Sequence, residues 1–431
     1  MENKNSTKVF IETYGCTFNQ ADSQIIAGLL NENNIEIVDD IKDSQIAIIN
    51  TCYVKNPTEN KVSNKIKKIQ ETYPNKKIIV SGCMVEIDPE KLDKIAPNSS
   101  WIGPQQLNKS LNVVNKTLNN EISRETGFSK DSKVGVSKLK FDPYTHIVQI
   151  CEGCLGKCTY CCTRFARGSL HSYPSNEIVK EVKNAVNDGC VEIQLTAQDT
   201  AVYGRDTDEK LSTLINEVSS IDGNFKVRVG MMHPKNVLYD LDDIINSFKS
   251  KKVYNFLHIP VQTGSDNVLK QMKRGHRIEE FKMIVKKFRE KIPDMTIATD
   301  IIVGYPTESD EDFQETIDLL NEIKPNIVHI SKYKHRKGAT SSNLDEIPNE
   351  IMKKHSKYLT DIKTKITEEE NKQLLNTIQK VLIVEVGKKS GFIGKTESYI
   401  PVVVSNAKLG EFVKVKISET TSTYLKGEVI E

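Results

Sequence analysis

The chain has 431 residues, with 60 Lys and Arg against 58 Asp and Glu and a net charge of only +2. That length exceeds one ordinary core and predicts two or three domains, and the near-zero balance excludes a global basic field, confining any nucleic-acid surface to local patches. No run approaches the roughly 18 apolar residues of a membrane span, the start "MENKNSTKVF" is polar rather than a secretory signal, and nine cysteines predict metal or redox chemistry in a reducing cytoplasm rather than disulfides.

Residues 1–120 alternate strand and helix patterns. "KVFIETYGC", "QIAIINTC" and "KKIIVSGC" are short apolar, β-branched runs, and "SSWIG" adds one more. Helical patterns over Ala21–Leu30 and Asn60–Glu71 lie between them, which predicts a doubly wound parallel sheet. Residues 121–140 are polar, with little periodicity, and read as a linker. Over 141–370 the alternation resumes with a longer beat. "HIVQIC", "VEIQLTAQD", "KVRVGMM", "NFLHIPVQ", "TIATDIIVGYP" and "IVHISKY" are six candidate strands separated by helical patterns. They predict a partial (β/α)6 barrel whose site is built at the strands' C-terminal ends. A long charged helix around Asn349–Leu375 follows. Over 371–431 the short strands "KVLIVEVG", "GFIGKTESYIPVVVS", "EFVKVKIS" and "YLKGEVIE" predict a small all-β barrel. The fold class is therefore α/β with a small β-barrel appended.

"GCLGKCTYCCTRFARG" concentrates four cysteines directly after the first barrel strand. Cys154, Cys158 and Cys161 have the spacing C-x-x-x-C-x-x-C, which suits zinc or an iron–sulfur cluster. Zinc favours four closed ligands, commonly as two separated pairs, and no second Cys or His pair lies nearby. Cys151 is available as a fourth ligand, although one buried thiol at the end of an apolar strand is ordinary. Three ligands on a cubane would leave one iron open. Cys162 adjoins Cys161 and should point away from the same cluster.

That triad, with Tyr160 before its last cysteine and a βα barrel around it, resembles the radical S-adenosylmethionine (SAM) superfamily. The resemblance implies a [4Fe-4S] cluster on Cys154, Cys158 and Cys161 whose open iron chelates SAM, which reductive cleavage converts to a 5′-deoxyadenosyl radical. Tyr160 would lie against the adenine. Gln198, Asp199 and Arg228 end or line barrel strands, where an arginine could neutralise the SAM carboxylate; barrel packing or ion pairs would account for them equally. Gly304 in "GYP" allows close backbone approach to the nucleoside, or a plain turn.

Cys16, Cys52 and Cys83 each close one of the first three apolar strands. In a parallel sheet those ends share one edge, so thiols distant in sequence converge on a second metal site. "TYGCTFNQADS", "NTCYV", "SGCMV", "GCLGKCTYC" with "ARG", and the terminal barrel together resemble the methylthiotransferases over nearly the whole chain. "TDIIVGYPTE" and "LHIPVQTGSDNVLKQMKRGH" look like barrel-mouth segments of that family, and the terminal barrel like its RNA-binding TRAM domain. The resemblance implies two [4Fe-4S] clusters, the second supplying or carrying sulfur, with an external electron donor and sulfur source.

Two basic runs suit phosphate contacts at the barrel mouth: Lys273, Arg274 and Arg277, and Lys334, Arg336 and Lys337. Solvated charge runs are the plain alternative. "CTYCCTRFARG" and "KHRKGAT" resemble the archaeal and eukaryotic branch. That branch methylthiolates C2 of N6-threonylcarbamoyladenosine in the tRNA anticodon loop. Isopentenyladenosine or a ribosomal protein side chain are substrates elsewhere in the family, and a non-catalytic iron–sulfur RNA-binding protein is the reading from another class.

Overall fold

The computed structural model describes residues 7–54, 56–387 and 390–430. Strands β1 (Lys8–Thr13), β2 (Glu36–Val38), β3 (Ile46–Thr51), β4 (Lys77–Gly82), β5 (Ser100–Ile102) and β6 (Arg124–Glu125) form one parallel sheet in the order β2-β1-β3-β4-β5-β6. β3 is buried at all six positions, which is why it reads as an unbroken apolar run. Each fully buried isoleucine there, such as Ile48 or Ile49, contributes about 1.5–3 kcal/mol relative to exposure. The helix Thr17–Asn31 covers one face with Phe18, Ala21, Ile25 and Ile26, a helical-period stripe. The chain runs from β1 out to β2 and returns to β3, so the strand order reverses between β1 and β3. Ligands of open α/β sheets bind at such a switch point, outside the strands' C-terminal ends.

Residues 121–140 do more than connect. They supply β6, and the buried Lys133 ammonium reaches Asp22 Oδ1 at 2.9 Å and Glu152 Oε1 at 3.0 Å. They thereby pin the first unit to the second.

The second unit begins with β7 (Thr145–Gln149), followed by a small ribbon of β8 (Cys151–Glu152) and β9 (His171–Ser172). Strands β10 (Glu192–Thr196), β11 (Lys226–Val229), β12 (Phe256–His258), β13 (Thr296–Val303) and β14 (Ile327–Lys332) complete six parallel barrel strands. They fall into two three-stranded sheets, β11-β10-β7 and β12-β13-β14, joined by a parallel bridge between Val227 and Val253. The core lies between these strands and their outer helices, as with Ile178, Val182 and Ala185 of the helix Ser175–Asn187.

The long helix spans Asn349–Lys372. Beyond it, β15 (Ile378–Val386), β16 (Phe392–Thr396), β17 (Pro401–Val404), β18 (Phe412–Thr420) and β19 (Leu425–Val429) close a five-stranded barrel. The run "GFIGKTESYIPVVVS" is two of these strands, with a turn between them. That turn docks beside the start of β12: Asn255 N–H donates to the Glu397 carbonyl at 2.9 Å, and the Tyr399 ring meets Tyr254 edge-on at 4.8 Å and Phe256 at a tilt at 4.9 Å. No helix among the described residues is long and apolar enough to cross a membrane.

Candidate functional site

The first cysteine set sits on the loop leaving β8. Gly153 N–H donates to Gln198 Oε1 (2.7 Å) and Cys154 N–H to the Gly168 carbonyl (3.3 Å), fixing the start of the loop. Thr159 anchors its middle, donating to the carbonyls of Met272 (N–H, 3.1 Å) and Gln271 (Oγ1, 3.0 Å). Within the loop Gly156 N–H already faces the Cys154 sulfur at 3.2 Å. A side chain at Gly156 would stand 3.2 Å from Cys154 Sγ and 3.7 Å from Cys158 Sγ, so both sulfurs flank that one glycine.

The second set forms at the C-terminal ends of β1, β3 and β4, three adjacent strands that bracket the switch point. Cys16 caps the helix Thr17–Asn31, Cys52 follows β3, and Cys83 opens the helix Cys83–Ile87. Asn19 ties these ends together. Its Nδ2 donates to the Tyr14 carbonyl (2.9 Å) and the Thr51 carbonyl (2.8 Å), while the Cys83 thiol lies 3.8 Å from its Oδ1. Gly15 has a φ of +109°, and a Cβ there would meet Cys52 Cβ at 2.7 Å and Cys52 Sγ at 3.1 Å. Only glycine permits that approach.

These donor sets fit iron–sulfur ligation. Each is three thiols from loops at strand ends, and in the first set the Gly156 N–H is turned to the Cys154 sulfur, the kind of hydrogen bonding that tunes such clusters. Among the described residues no three His, Cys, Asp or Glu side chains are placed to hold one ion. Burial pushes the Cys83 and Cys154 thiols up to about 12, with Arg167 pulling Cys83 the other way, and pushes Cys161 up as well. Loading iron therefore releases protons. Cys151 and Cys162 behave otherwise. Cys151 is fully buried with its sulfur 3.9 Å from the Asp199 carbonyl, and Cys162 is packed against Tyr53 in the core of the first unit.

A cavity of about 680 Å³ opens at the barrel mouth. Its wall includes Tyr160 and Cys161 from the first set's loop, Val54 and Pro57 from the segment behind Cys52, and Asp300 and Lys332 from β13 and β14. His258 Nε2 lies 2.6 Å from Asp300 Oδ2 and orients that carboxylate.

Several residues singled out from sequence have other surroundings. Arg274, read as a phosphate contact, is 4% exposed; its Nη2 donates to the Pro260 carbonyl (2.6 Å), and Nη1 lies 3.6 Å from Cys158 Sγ and 3.4 Å from Tyr160 Oη. Arg336, read the same way, is 7% exposed and ion-paired with the buried Glu59 of the first unit at 2.5 Å. Both are corrections: a basic run in sequence does not reveal which of its members the fold buries. Lys334 pairs with Glu346 (2.7 Å) and Lys337 with Glu90 (2.9 Å), whereas Lys273 and Arg277 are exposed. Asp199 gives both carboxylate oxygens to its own surroundings, accepting from Ala201 N–H, His233 N–H and Asn236 Nδ2. Arg228 packs over Phe256 and over Tyr399 of the terminal barrel. At Gly304, with φ +76°, a side chain would collide with Met352 of the long helix. Packing against Met352 is by itself enough to require glycine there.

Sequence reading missed the charge network beneath both sets. Arg167, Lys133, Asp22 and Glu152 are all buried and mutually paired. Its one visible trace was the "ARG" that follows the first set.

Comparison with known proteins agrees with this architecture. Residues 8–103 match Uncharacterized protein family UPF0004, 148–320 the Radical SAM superfamily, and 372–430 the TRAM domain. A Methanothermobacter thermautotrophicus protein named "Probable threonylcarbamoyladenosine tRNA methylthiotransferase" is 57% identical over 97% of this chain and 98% of its own length. The threonylcarbamoyladenosine tRNA methylthiotransferase of Homo sapiens is 36% identical over 98% of this chain and 74% of its own. Among solved structures, the radical S-adenosylmethionine methyltransferase TsrM from Kitasatospora setae superposes with a TM-score of 0.59 at 10% identity. The match covers 87% of this chain and 78% of that one, a likeness of fold. The chain belongs to the threonylcarbamoyladenosine tRNA methylthiotransferase family.

Proposed function

We propose that the chain methylthiolates C2 of N6-threonylcarbamoyladenosine beside the anticodon of tRNA, with SAM and one [4Fe-4S] cluster on each cysteine set. The observation that carries this reading is a cavity whose wall joins Cys161 to the segment behind Cys52. A nucleoside seated there would meet Cys161 of the first set and Val54, two residues past Cys52 of the second. When bound, the clusters and SAM supply the radical that breaks an inert C–H bond and the sulfur and methyl that replace the hydrogen.

The chain's own residues bind and orient. Tyr160 offers its ring as a wall, and Asp300, held by His258, offers a fixed carboxylate. Of the cavity's cations, Lys334 is paired with Glu346 and Arg336 with Glu59, while Lys332 has no carboxylate partner among the described residues. Lys332 is therefore the counter-ion available to the threonyl carboxylate, a group that an isopentenyl substituent lacks. Exposed Lys273 and Arg277 remain for loop phosphates. A base in an anticodon loop needs little unstacking to enter such a pocket. The reaction also needs an external electron donor and a sulfur source, and reduced thiols suit the cytoplasm.

Nucleoside mass spectrometry on tRNA from a deletion strain tests the proposal. The 2-methylthio-threonylcarbamoyl species should vanish while its unthiolated precursor accumulates. Loss of an isopentenyl product, or a change confined to a ribosomal protein, would overturn it.

A further inference from the structure

Arg167 ends the helix Thr163–Arg167 directly behind the first cysteine set, yet its guanidinium is turned to the second. It is 1% exposed. Nη2 donates to Asn19 Oδ1 at 2.6 Å, and Nη1 donates to Glu152 Oε1 at 2.8 Å and stands 2.7 Å from Asp22 Oδ2. Asn19 is the residue on which the ends of β1 and β3 and the Cys83 thiol meet. One side chain thus spans from the loop of Cys154, Cys158 and Cys161 to the hub of Cys16, Cys52 and Cys83.

Burying a guanidinium is costly unless it is paired and hydrogen-bonded. Here two cations, Arg167 and Lys133, face two carboxylates, Asp22 and Glu152. A lysine would supply the charge but not a planar fork reaching three acceptors on two segments. An apolar side chain would fill the space but leave two carboxylates facing a single ammonium.

We propose that Arg167 is a positioning residue linking the two cysteine sets, holding the first loop on Asn19 and balancing the charge beside the second cluster. The inference rests on the two-cluster reading above. In a buried, low-dielectric setting, unbalanced charge acts strongly on a neighbouring redox group. Removing the Arg167 cation leaves excess negative charge that opposes reduction of the second cluster. Removing the Asp22 anion leaves excess positive charge that favours it. A purely structural role would move both variants the same way.

The test uses the full chain, reconstituted anaerobically with Cys154, Cys158 and Cys161 all changed to Ala, so that only the second cluster reports. Redox titration followed by electron paramagnetic resonance gives its midpoint. Arg167→Met should lower the reduction equilibrium about tenfold, about 59 mV for one electron, and Asp22→Asn should raise it comparably. Arg167→Lys should return most of the shift. Equal signs for Arg167→Met and Asp22→Asn, or no shift in either, overturn the proposal. If Arg167→Met fails to hold iron, Asp22→Asn decides: an upward shift supports the link, and none or a downward one overturns it. If the triple-alanine chain binds no iron at all, the two-cluster reading falls and takes this inference with it.

Discussion

The two cysteine sets reach similar chemistry by opposite routes. Cys154, Cys158 and Cys161 lie on one loop whose glycine already brings two sulfurs together. Cys16, Cys52 and Cys83 meet only because β1, β3 and β4 are adjacent and in register, with Val9 beside Ile46 and Ile46 beside Lys77. A local site needs little ordering beyond its loop. An assembled site inherits the whole sheet's packing and reports on it. The widest separation is therefore expected from cysteine variants. Cys158→Ala should abolish SAM cleavage to 5′-deoxyadenosine outright and remove only the first set's iron. Cys52→Ala should leave that cleavage measurable, remove the second set's iron and abolish methylthio transfer. If Cys52→Ala keeps its full iron content, there is no assembled site to compare.

The next largest effect probes how the assembled set is held to the local one. The buried Arg336–Glu59 pair joins the barrel-mouth loop to the helix Asn56–Thr72, which follows the segment behind Cys52. Removing one partner of such a pair leaves an uncompensated buried charge and costs about 3–5 kcal/mol. Arg336→Met should lower the denaturant midpoint accordingly, and Arg336→Met with Glu59→Gln should recover much of the loss. Lys91 also pairs with Glu59, so recovery should be incomplete. Full additivity of the two substitutions would show that the pair does not join the units.

Much of the frame was legible because its signals are local. All six barrel strands were readable as short β-branched runs, nearly continuous in β13 (TIATDIIV) and alternating in β10 (EIQLT) and β11 (KVRV). The helices expected at Ala21–Leu30 and Asn60–Glu71 run over Thr17–Asn31 and Asn56–Thr72, longer at both ends because polar first turns carry no periodicity. β2 was not seen, being three half-exposed residues at an edge. The cysteines of both sets were readable from spacing and recurrence. The charge network was not. Arg167 looks like Arg164 in sequence, and only the approach of Asn19, Asp22 and Glu152 from other segments buries one and leaves the other exposed. Arg274 and Arg336 misled for the same reason.

Glycine variants sharpen the contrast at smaller scale. Gly15→Ala must take a side chain to φ +109° and press it against Cys52, a strain of about 1–3 kcal/mol concentrated on the assembled set. Iron analysis should show loss from the second set while SAM cleavage persists. Gly156 has no such backbone conformation, and its new methyl would sit 3.2 Å from Cys154 Sγ. A shift of a few tenths of an ångström suffices there, so Gly156→Ala should keep both sets loaded. If Gly156→Ala proves the more damaging of the two, the local loop is the stricter site and the comparison inverts.

The smallest effects belong to the two cysteines beside the local set, and they fix its boundary. Adjacent residues in a loop point apart. Cys161 and Cys162 both border the cavity, but Cys162 is tied into the first unit's core with Tyr53, Trp101 and Ala166, its sulfur 3.9 Å from the Tyr53 carbonyl. Cys151 lies in the barrel core, and burial drives its thiol well above the ordinary range. Each of the two thiols is held in a packed core. Cys162→Ala and Cys151→Ala each remove one buried sulfur and should cost about 1 kcal/mol of stability. Iron content and SAM cleavage should stay at the level of the unaltered chain. Cys162 also belongs to the first unit's core while riding on the second unit's loop, so its loss should loosen the contact between the units slightly more than the loss of Cys151. A drop in iron for Cys151→Ala would make it a fourth ligand, close the open iron, and leave SAM no place on the cluster.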